Sequence, residues 1–518
     1  MANYLMGVDI GTSSCKVAVF DPTGTVIASA TASYPTYHPA PGYAQQKPTE
    51  WWVGFCRAMK EIKVNPSDIT AIGTAGQGWS AISVDKSGEV LFDNPIWMDS
   101  RAEDLCRKML KSVPEEEIYA LCGNPVMPTY TTPKILWLKQ EHPAIYNKTY
   151  KILQSNSYIV YKLTGKFTSD YSQGYGLHFY DIRKREWNKE IAASFGISLD
   201  IMPELCPPAM VVGAVTKEAA AATGLREGTP VVAGGLDAAC STLGAGVYEP
   251  GHAQAQGGTA GGMSLCLDEC ITHPKLIMGN HVVEDRWLLQ GGTVGGGGVL
   301  HWLKENVLSD AKSDANRNAK RDTTSSTSRD ITYDEINALA AQSPAGAGGL
   351  IFLPYMAGER SPIWNSNAKG VYFGLDYSKG RGDIIRATME GVAFSLLHNI
   401  DTAYEMGVYA KSYNLVGGIA NSDVWMQVLA DVTGRPFCAP SSDTGTNLGA
   451  AILAGIGTGV YSSGEDAVAQ TVKIAKEYTP NMATHELYQQ IYKSYRKLSE
   501  CLLNIACKGG VESYEHSF

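Results

Sequence analysis

The sequence predicts an α/β protein made of two related domains. Three observations carry this. Short apolar strand segments alternate with segments of helical periodicity along the 518 residues, the pattern of packed sheets and helices. A Gly-hydroxyl turn on a strand-turn-strand unit occurs twice, at 11–14 and at 257–259. The 54 glycines gather in short runs, which marks tight turns and close backbone approach to a ligand.

Taken in order, residues 4–10 read as a strand running into Gly11-Thr12-Ser13-Ser14. Residues 15–20 form the second strand, Asp21-Pro22-Thr23-Gly24 a turn, and 26–32 the returning strand. Residues 69–77, 81–84 and 90–92 repeat this scheme, with Asp85-Lys86-Ser87-Gly88 as a turn; so do 231–235 and 253–266. Pro48-Thr49-Glu50 opens a helix carrying Trp52, Phe55, Met59 and Ile62. Ile384, Thr388, Val392, Leu396 and Ile400 recur every four residues; so do Val424, Val428, Leu429 and Val432, with Gly434 as C-cap. A terminal amphipathic helix carries Leu487, Ile491, Tyr495, Leu498, Leu502 and Ile505 and stops before Gly509-Gly510. The domain boundary is expected near 248–252, at Glu249-Pro250-Gly251, giving domains 1–250 and 251–518. Residues 309–330 have almost no large apolar side chain and read as a solvated insertion or mobile loop.

Composition narrows the function. A chain with 44% hydrophobic and 18% charged residues is neither disordered, collagenous nor coiled coil. No apolar run nears the roughly 20 residues of a membrane span, and the start shows no signal peptide. The net charge is −9, with Lys and Arg dispersed, so neither nucleic acid nor membrane is an expected partner. Eleven cysteines at irregular spacing suggest reduced, mostly buried thiols and a cytoplasmic setting. Cys266 and Cys270 have no second pair or nearby His to complete a zinc site.

The sequence has no P-loop, no GxGxxG after a strand, no HExxH and no GxSxG. Other devices are present. Asp9 at a strand end can hold Mg²⁺ through water, and Thr12, Ser13 and Ser14 with their N–H groups can form an anion nest, with Lys16 adding positive charge. A hairpin with a tight Gly turn reads the same residues as well. Gly257-Gly258-Thr259-Ala260-Gly261-Gly262 is either a second such jaw or a plain Gly loop. Asp237, after Gly234-Gly235-Leu236, is either a general base at a helix start or an Asp N-cap. Trp97, Asp99 and Arg101 join an aromatic plane, an acid and a guanidinium, as polyol sites do. The alternative is a core Trp and a surface ion pair. Gln77-Gly78-Trp79 could line the same pocket. Gly417-Gly418 followed by Asn421-Ser422 lets a flat ring approach the backbone, or is an ordinary strand-to-helix turn.

Together these residues resemble the FGGY carbohydrate kinases over roughly residues 4–505. The most specific match is Gly370-Val371-Tyr372-Phe373-Gly374-Leu375, Asp383-Ile384 and Ala387-Thr388-Met389-Glu390, which fits the family's second signature. Thr131, Lys134, Ile135, Trp137, Leu138 and Glu141 nearly meet the first, with Thr129 off the usual set. Within the family the chain looks most like the xylulokinase branch.

The resemblance implies a two-domain actin-like ATPase (ribonuclease H-like) α/β fold with an inter-domain cleft. It implies phosphoryl transfer from ATP with Mg²⁺ to a small ketose or polyol. Domain 1–250 would hold the sugar pocket, first phosphate loop and catalytic Asp; 251–518 would hold the second phosphate loop, adenosine site and terminal helix. Asp237 matches the catalytic base, Asp9 the Mg²⁺-associated carboxylate, Thr12, Ser13 and Ser14 the first phosphate loop, and Gly258 and Thr259 the second. Gly297, His301, Gly418 and Asn421 match nucleotide contacts, and Trp97, extended by Asp99 and Arg101, the polyol side. One departure matters: xylulokinases usually carry Gln-Met-His-Gly where this chain has Gln77-Gly78-Trp79-Ser80, and Ala238 stands where relatives carry Asn or Gln. L-xylulose, erythritol or another sugar of four to seven carbons therefore rivals D-xylulose. A non-catalytic ATP-binding relative is the remaining alternative, and a homodimer stays open.

Overall fold

The computed structural model describes residues 3–308, 331–442 and 444–508. Its contacts divide the chain into two units. Unit 1 is Met1–His252, Leu265–Leu289 and Ser442–Lys473; unit 2 is Ala253–Ser264, Gln290–Ser441 and Ile474–Phe518. Both are α/β. The expected 309–330 loop and the Gly509-Gly510 stop lie outside the described residues.

Unit 1 is built on a sheet ordered Val211–Ala214, Pro230–Val232, Ile69–Gly76, Tyr4–Ile10, Ser14–Phe20, Val26–Ser33, with Gly235–Leu236 also pairing Ile69–Gly76. Tyr4–Ile10 pairs antiparallel with Ser14–Phe20 and parallel with Ile69–Gly76. Val8, Ile10, Val17 and Val19 are fully buried, as β-branched residues on a covered sheet should be. The helix Pro48–Glu61 starts with Pro at its first turn and buries Trp51 and Phe55 in the same core, each worth about 2 kcal/mol. The expected strand at 90–92 is reduced to one bridge, Val84 to Val90; the Asp85 carboxylate caps the turn between them instead.

A late helix, Gly445–Gly457, belongs to unit 1. Glycines let it lie directly on its neighbours. A Cβ on Gly7 would sit 1.9 Å from the Asn447 carbonyl oxygen, and one on Gly73 1.9 Å from that of Ala450. Gly449 and Gly244 make equally close approaches to the Cys240 and Gly445 carbonyls. Asn447 Nδ2 then donates to the Gly7 and Lys16 carbonyls at 3.0 and 2.9 Å.

Unit 2 repeats the plan. The second sheet runs in the order Ile277–Asn280, Trp287–Thr293, Gly261–Leu267, His252–Gly257, Ser412–Val416, Phe437–Pro440, Ile474–Tyr478. Ile277–Asn280 and the outer ends of the next two count with unit 1. In both sheets the strand before the Gly-hydroxyl turn is central, its two successors lie on one side, and an antiparallel edge strand closes the other. The weak duplication in the sequence is a duplication of topology. The four-residue repeat after Ile384 is the helix Arg381–Glu405, buried almost all round from Ala387 to Leu397. Asp423–Thr433 ends at Gly434 with φ 66°, the left-handed cap that glycine favours. The terminal helix spans Met482–Lys508. The described cysteines are free thiols. No helix among the described residues is long and apolar enough to cross a membrane.

Candidate functional site

The first constellation forms at the C-terminal ends of three parallel strands of unit 1, where open α/β sheets bind ligands. Register sets Ile10 beside Gly76 and Gly76 beside Leu236. Asp9 thus nearly ends one strand, Gln77-Gly78-Trp79 follow the second, and Asp237 follows the third.

Asp237 is the first residue of the helix Asp237–Gly244, and Leu236 is the N-cap. The capping alternative for Asp237 is therefore corrected: its carboxylate accepts from the neighbouring Ala238 N–H at 2.6 Å. Burial raises its pKa to about 6 against that bond. Burial and then the charge of Asp237 raise Asp9 to about 8, while Lys16, opposite it in the hairpin, pulls the other way. Asp9 Oδ1 is buried and has no hydrogen-bond partner.

A hydrogen-bonded chain ties the turns together. Trp97 Nε1 donates to Thr12 Oγ1 at 2.9 Å. Gln46 Nε2 donates to the Thr12 carbonyl at 2.6 Å, and Gln46 Oε1 accepts from Trp51 Nε1 and from Gln77 Nε2 at 3.1 and 2.9 Å. Gln77 Oε1 stays buried and unpaired. Ser13 is exposed, and Ser14 and Lys16 lie half-buried on the returning strand.

Trp79 has φ 63°, in the left-handed region, where a large side chain costs about 1–2 kcal/mol. Its ring lies 4.3 Å from Tyr130 and 6.0 Å, edge-on, from Tyr175. Its Nε1 is buried without a hydrogen bond of ordinary geometry. The Tyr175 hydroxyl is pushed well above the phenol range by burial and then by Asp237, with Trp79 opposing. Lys134 Nζ, buried, donates to the Trp79 and Ile96 carbonyls at 2.8 Å each. Gly78 leaves room that a Cβ would lose to Leu236 Cδ1 at 2.9 Å.

The surface-pair reading of Asp99 and Arg101 is overturned. Their side chains are 0% and 2% exposed. Arg101 grips Asp99 through Nε and Nη2 at 2.7–2.9 Å, donates to Gln45, and stacks on Tyr43 and Trp137. Asp99 also accepts from Ala44 N–H at 2.6 Å. This pair holds the segment that carries Trp97.

The second constellation lies in unit 2 and is made of backbone. Gly297 N–H donates to the Gly258 carbonyl at 2.7 Å, and Gly298 N–H to that of Thr259 at 3.1 Å. Gly417, at φ 100°, packs so that a Cβ would sit 2.8 Å from the Gly257 carbonyl carbon. The strand end 257–259, the helix start at Gly297 and the Gly417-Gly418 turn are thus brought together. Gly418 faces open space, with no atom within 4 Å of its Cβ position. Asn421 is exposed, and Ser422, not Asn421, caps the next helix. His301 Nδ1 lies 3.1 Å from the Tyr333 hydroxyl. Behind the loops, buried Glu359 accepts from Val294 N–H and Arg360 N–H at 2.8 Å and from Ser395 Oγ at 3.2 Å. Burial lifts its pKa to about 7 against those bonds.

Sequence reasoning missed Gln46, Tyr175 and Glu359, and named Lys134 only as a signature residue without a role. Lys134 alone left a trace: it is the single cation in the apolar stretch Lys134-Ile135-Leu136-Trp137-Leu138.

Residues 4–244 match the N-terminal domain, and 257–458 the C-terminal domain, of the FGGY family of carbohydrate kinases. A xylulose kinase of Staphylococcus epidermidis is 31% identical over 502 residues, 95% of this chain and 96% of its own. A gluconokinase of Bacillus licheniformis is 30% identical over 98% of this chain and 96% of its own. The crystal structure of xylulose kinase from Rhodospirillum rubrum superposes with TM-score 0.87 at 30% identity, covering 98% of this chain and all of that one. With both halves of its sequence matched by the family's two domains, the chain belongs to the FGGY family of carbohydrate kinases.

Proposed function

We propose that this chain transfers the γ-phosphoryl group of MgATP to one hydroxyl of a small neutral ketose or polyol, in the manner of a xylulose kinase. Asp237 carries the reading. It is held at a helix start beside the Trp79 turn, and a pKa near 6 leaves it ionised at neutral pH yet basic enough to take a proton. The sugar hydroxyl gives its proton to Asp237, its oxygen bonds to the γ-phosphorus, and the β,γ-bridging bond breaks to release ADP. Catalysis is then mainly positioning and charge neutralisation.

The remaining roles follow the same reading. Thr12, Ser13, Ser14 and Lys16 serve the phosphates from the first half, 1–250. Gly258 and Thr259 serve them from the second, 251–518, where Gly297, His301, Gly418 and Asn421 take the nucleoside. Asp9, with its unpartnered buried oxygen, fits a carboxylate that holds Mg²⁺ through water. Bound there, the ion would neutralise phosphate charge. Gln77, Gly78, Trp79 and Trp97 line the sugar side, and Asp99 and Arg101 hold Trp97 in place. Free thiols support a cytoplasmic setting.

The gluconokinase relative raises a second reading, an aldonate kinase. Charge speaks against it. Lys134 is committed to two carbonyls and Arg101 to Asp99, while Asp9 and Asp237 stand at the strand ends. A substrate carboxylate would meet the charge of Asp237, while Lys16 is assigned to the phosphates.

The test is ADP release from MgATP across ketoses, alditols and aldonates of four to seven carbons, with a no-sugar blank and Asp237→Asn alongside. One strong neutral responder, lost in the variant, is expected. Gluconate as the best substrate removes the neutral-sugar reading. A flat panel with intact ATP binding favours the non-catalytic relative, and L-xylulose or erythritol as responder would rename the sugar without changing the chemistry.

A further inference from the structure

We infer that Lys134 is the positioning residue that sets sugar discrimination, by pinning the two aromatic turns of unit 1 through a single ammonium group. This rests on the reading of the Trp79 and Trp97 turns as walls of the sugar site.

Lys134 sits in the first turn of the helix Thr131–Glu141 and is 1% exposed. A lysine so deeply buried is costly unless its N–H groups are satisfied. Two of its bonds are to backbone carbonyls from different segments, those of Trp79 and Ile96, at 2.8 Å each. Neither carbonyl is incidental. Trp79 is held at φ 63°, a conformation that persists only where its surroundings impose it. Ile96 immediately precedes Trp97, whose indole reaches Thr12. The same helix start adds Tyr130, packed 4.3 Å from the Trp79 ring. Burial lowers the Lys134 pKa to about 7; Asp99 favours the ammonium and Arg101 opposes it, and those two grip each other.

The consequence is a division of labour. Trp79 supplies the surface, and Lys134 fixes where that surface stands relative to Trp97. Without the ammonium, both carbonyls lose a charged donor and the left-handed turn loses its restraint. A charged hydrogen bond of this kind is worth about a tenfold to hundredfold change in an equilibrium. The effect should fall mainly on the sugar, because both carbonyls belong to the Trp79 and Trp97 turns and the phosphate loop is reached only through the Trp97 bond to Thr12.

The test compares Lys134→Met and Lys134→Ala with the wild type, using the best sugar from the panel. Expected for Lys134→Met is a KM for sugar raised about tenfold or more, with KM for ATP within about twofold. The preference between that sugar and its next-best competitor should also shrink. Added ethylammonium or propylammonium should partly restore the sugar KM of Lys134→Ala, because a small cation can refill the site; a purely packing role would not respond. Equal rises in both KM values, or an unchanged preference in a variant that melts near the wild type, overturn the inference. Should Lys134→Met not fold, amine rescue of Lys134→Ala decides alone. If the wild type phosphorylates no sugar, the underlying reading fails instead, and tryptophan fluorescence of Lys134→Met then still tests the pinning: an unchanged Trp79 environment refutes it.

Discussion

The two units hold their candidate sites by opposite means. In unit 1 side chains do it: Gln46 bridges Thr12, Trp51 and Gln77, Lys134 joins two turns, and Arg101 with Asp99 anchors a third. In unit 2 backbone does most of it: Gly258, Gly297 and Gly417 stack peptide on peptide, and Glu359 reaches in from behind. A side-chain frame can change what it recognises one residue at a time. A glycine frame does so less readily, since a Cβ on Gly297 or Gly417 would meet backbone at 3.0 or 2.8 Å. On the proposed reading, the sugar meets the first frame and the nucleoside of ATP the second.

The largest test of that contrast is Asp237→Asn. Turnover should fall by about 10²–10⁴-fold with ATP binding retained, checked by steady-state kinetics and calorimetry. The stability sign is opposite. Asp237 has a folded pKa raised to about 6, so its ionisation weakens the fold as pH rises from the unfolded value through 6. Asp237→Asn should therefore melt no lower than the wild type at pH 8, and a lower melting temperature there contradicts the buried-acid assignment. In the wild type, kcat/KM should fall as pH drops below about 6.

Gly417→Ala comes next. A Cβ at φ 100° meets the Gly257 backbone at 2.8 Å, so KM for ATP should rise about tenfold while KM for sugar holds. An unchanged ATP KM breaks the backbone-frame idea. Glu359→Gln keeps shape but not charge behind the same loops; a rise of a few-fold in ATP KM, again without a sugar effect, is expected. Smallest of all should be Gly78→Ala, whose new methyl meets only the end of Leu236 at 2.9 Å. A sugar KM within about threefold of the wild type would mark unit 1 as the adaptable frame.

Legibility followed the same division. Turns written in consecutive residues could be read: Gly11-Thr12-Ser13-Ser14, Gly257-Gly258-Thr259 and Gly417-Gly418 all stand where strand and turn chemistry put them. The strand at 90–92 could not, because Asp85 closes a local turn that a strand pattern does not register. Asp99 and Arg101 were visible as a pair but not as a buried one, since Tyr43, Ala44 and Trp137 come from distant segments. Lys134 and Gln46 act on residues tens of positions away, a relation no window along the chain contains.

The helix Gly445–Gly457 sets the order of events during synthesis. It covers the strands of unit 1, yet the chain emits it after most of unit 2. At ordinary elongation rates the first sheet waits on the order of tens of seconds for its lid. Throughout that interval Gly7, Gly73 and Gly244 present bare peptide where the helix will lie. The first half is thus committed to folding late, and residues 1–252 made alone should stay aggregation-prone until a separately supplied 442–473 segment completes them.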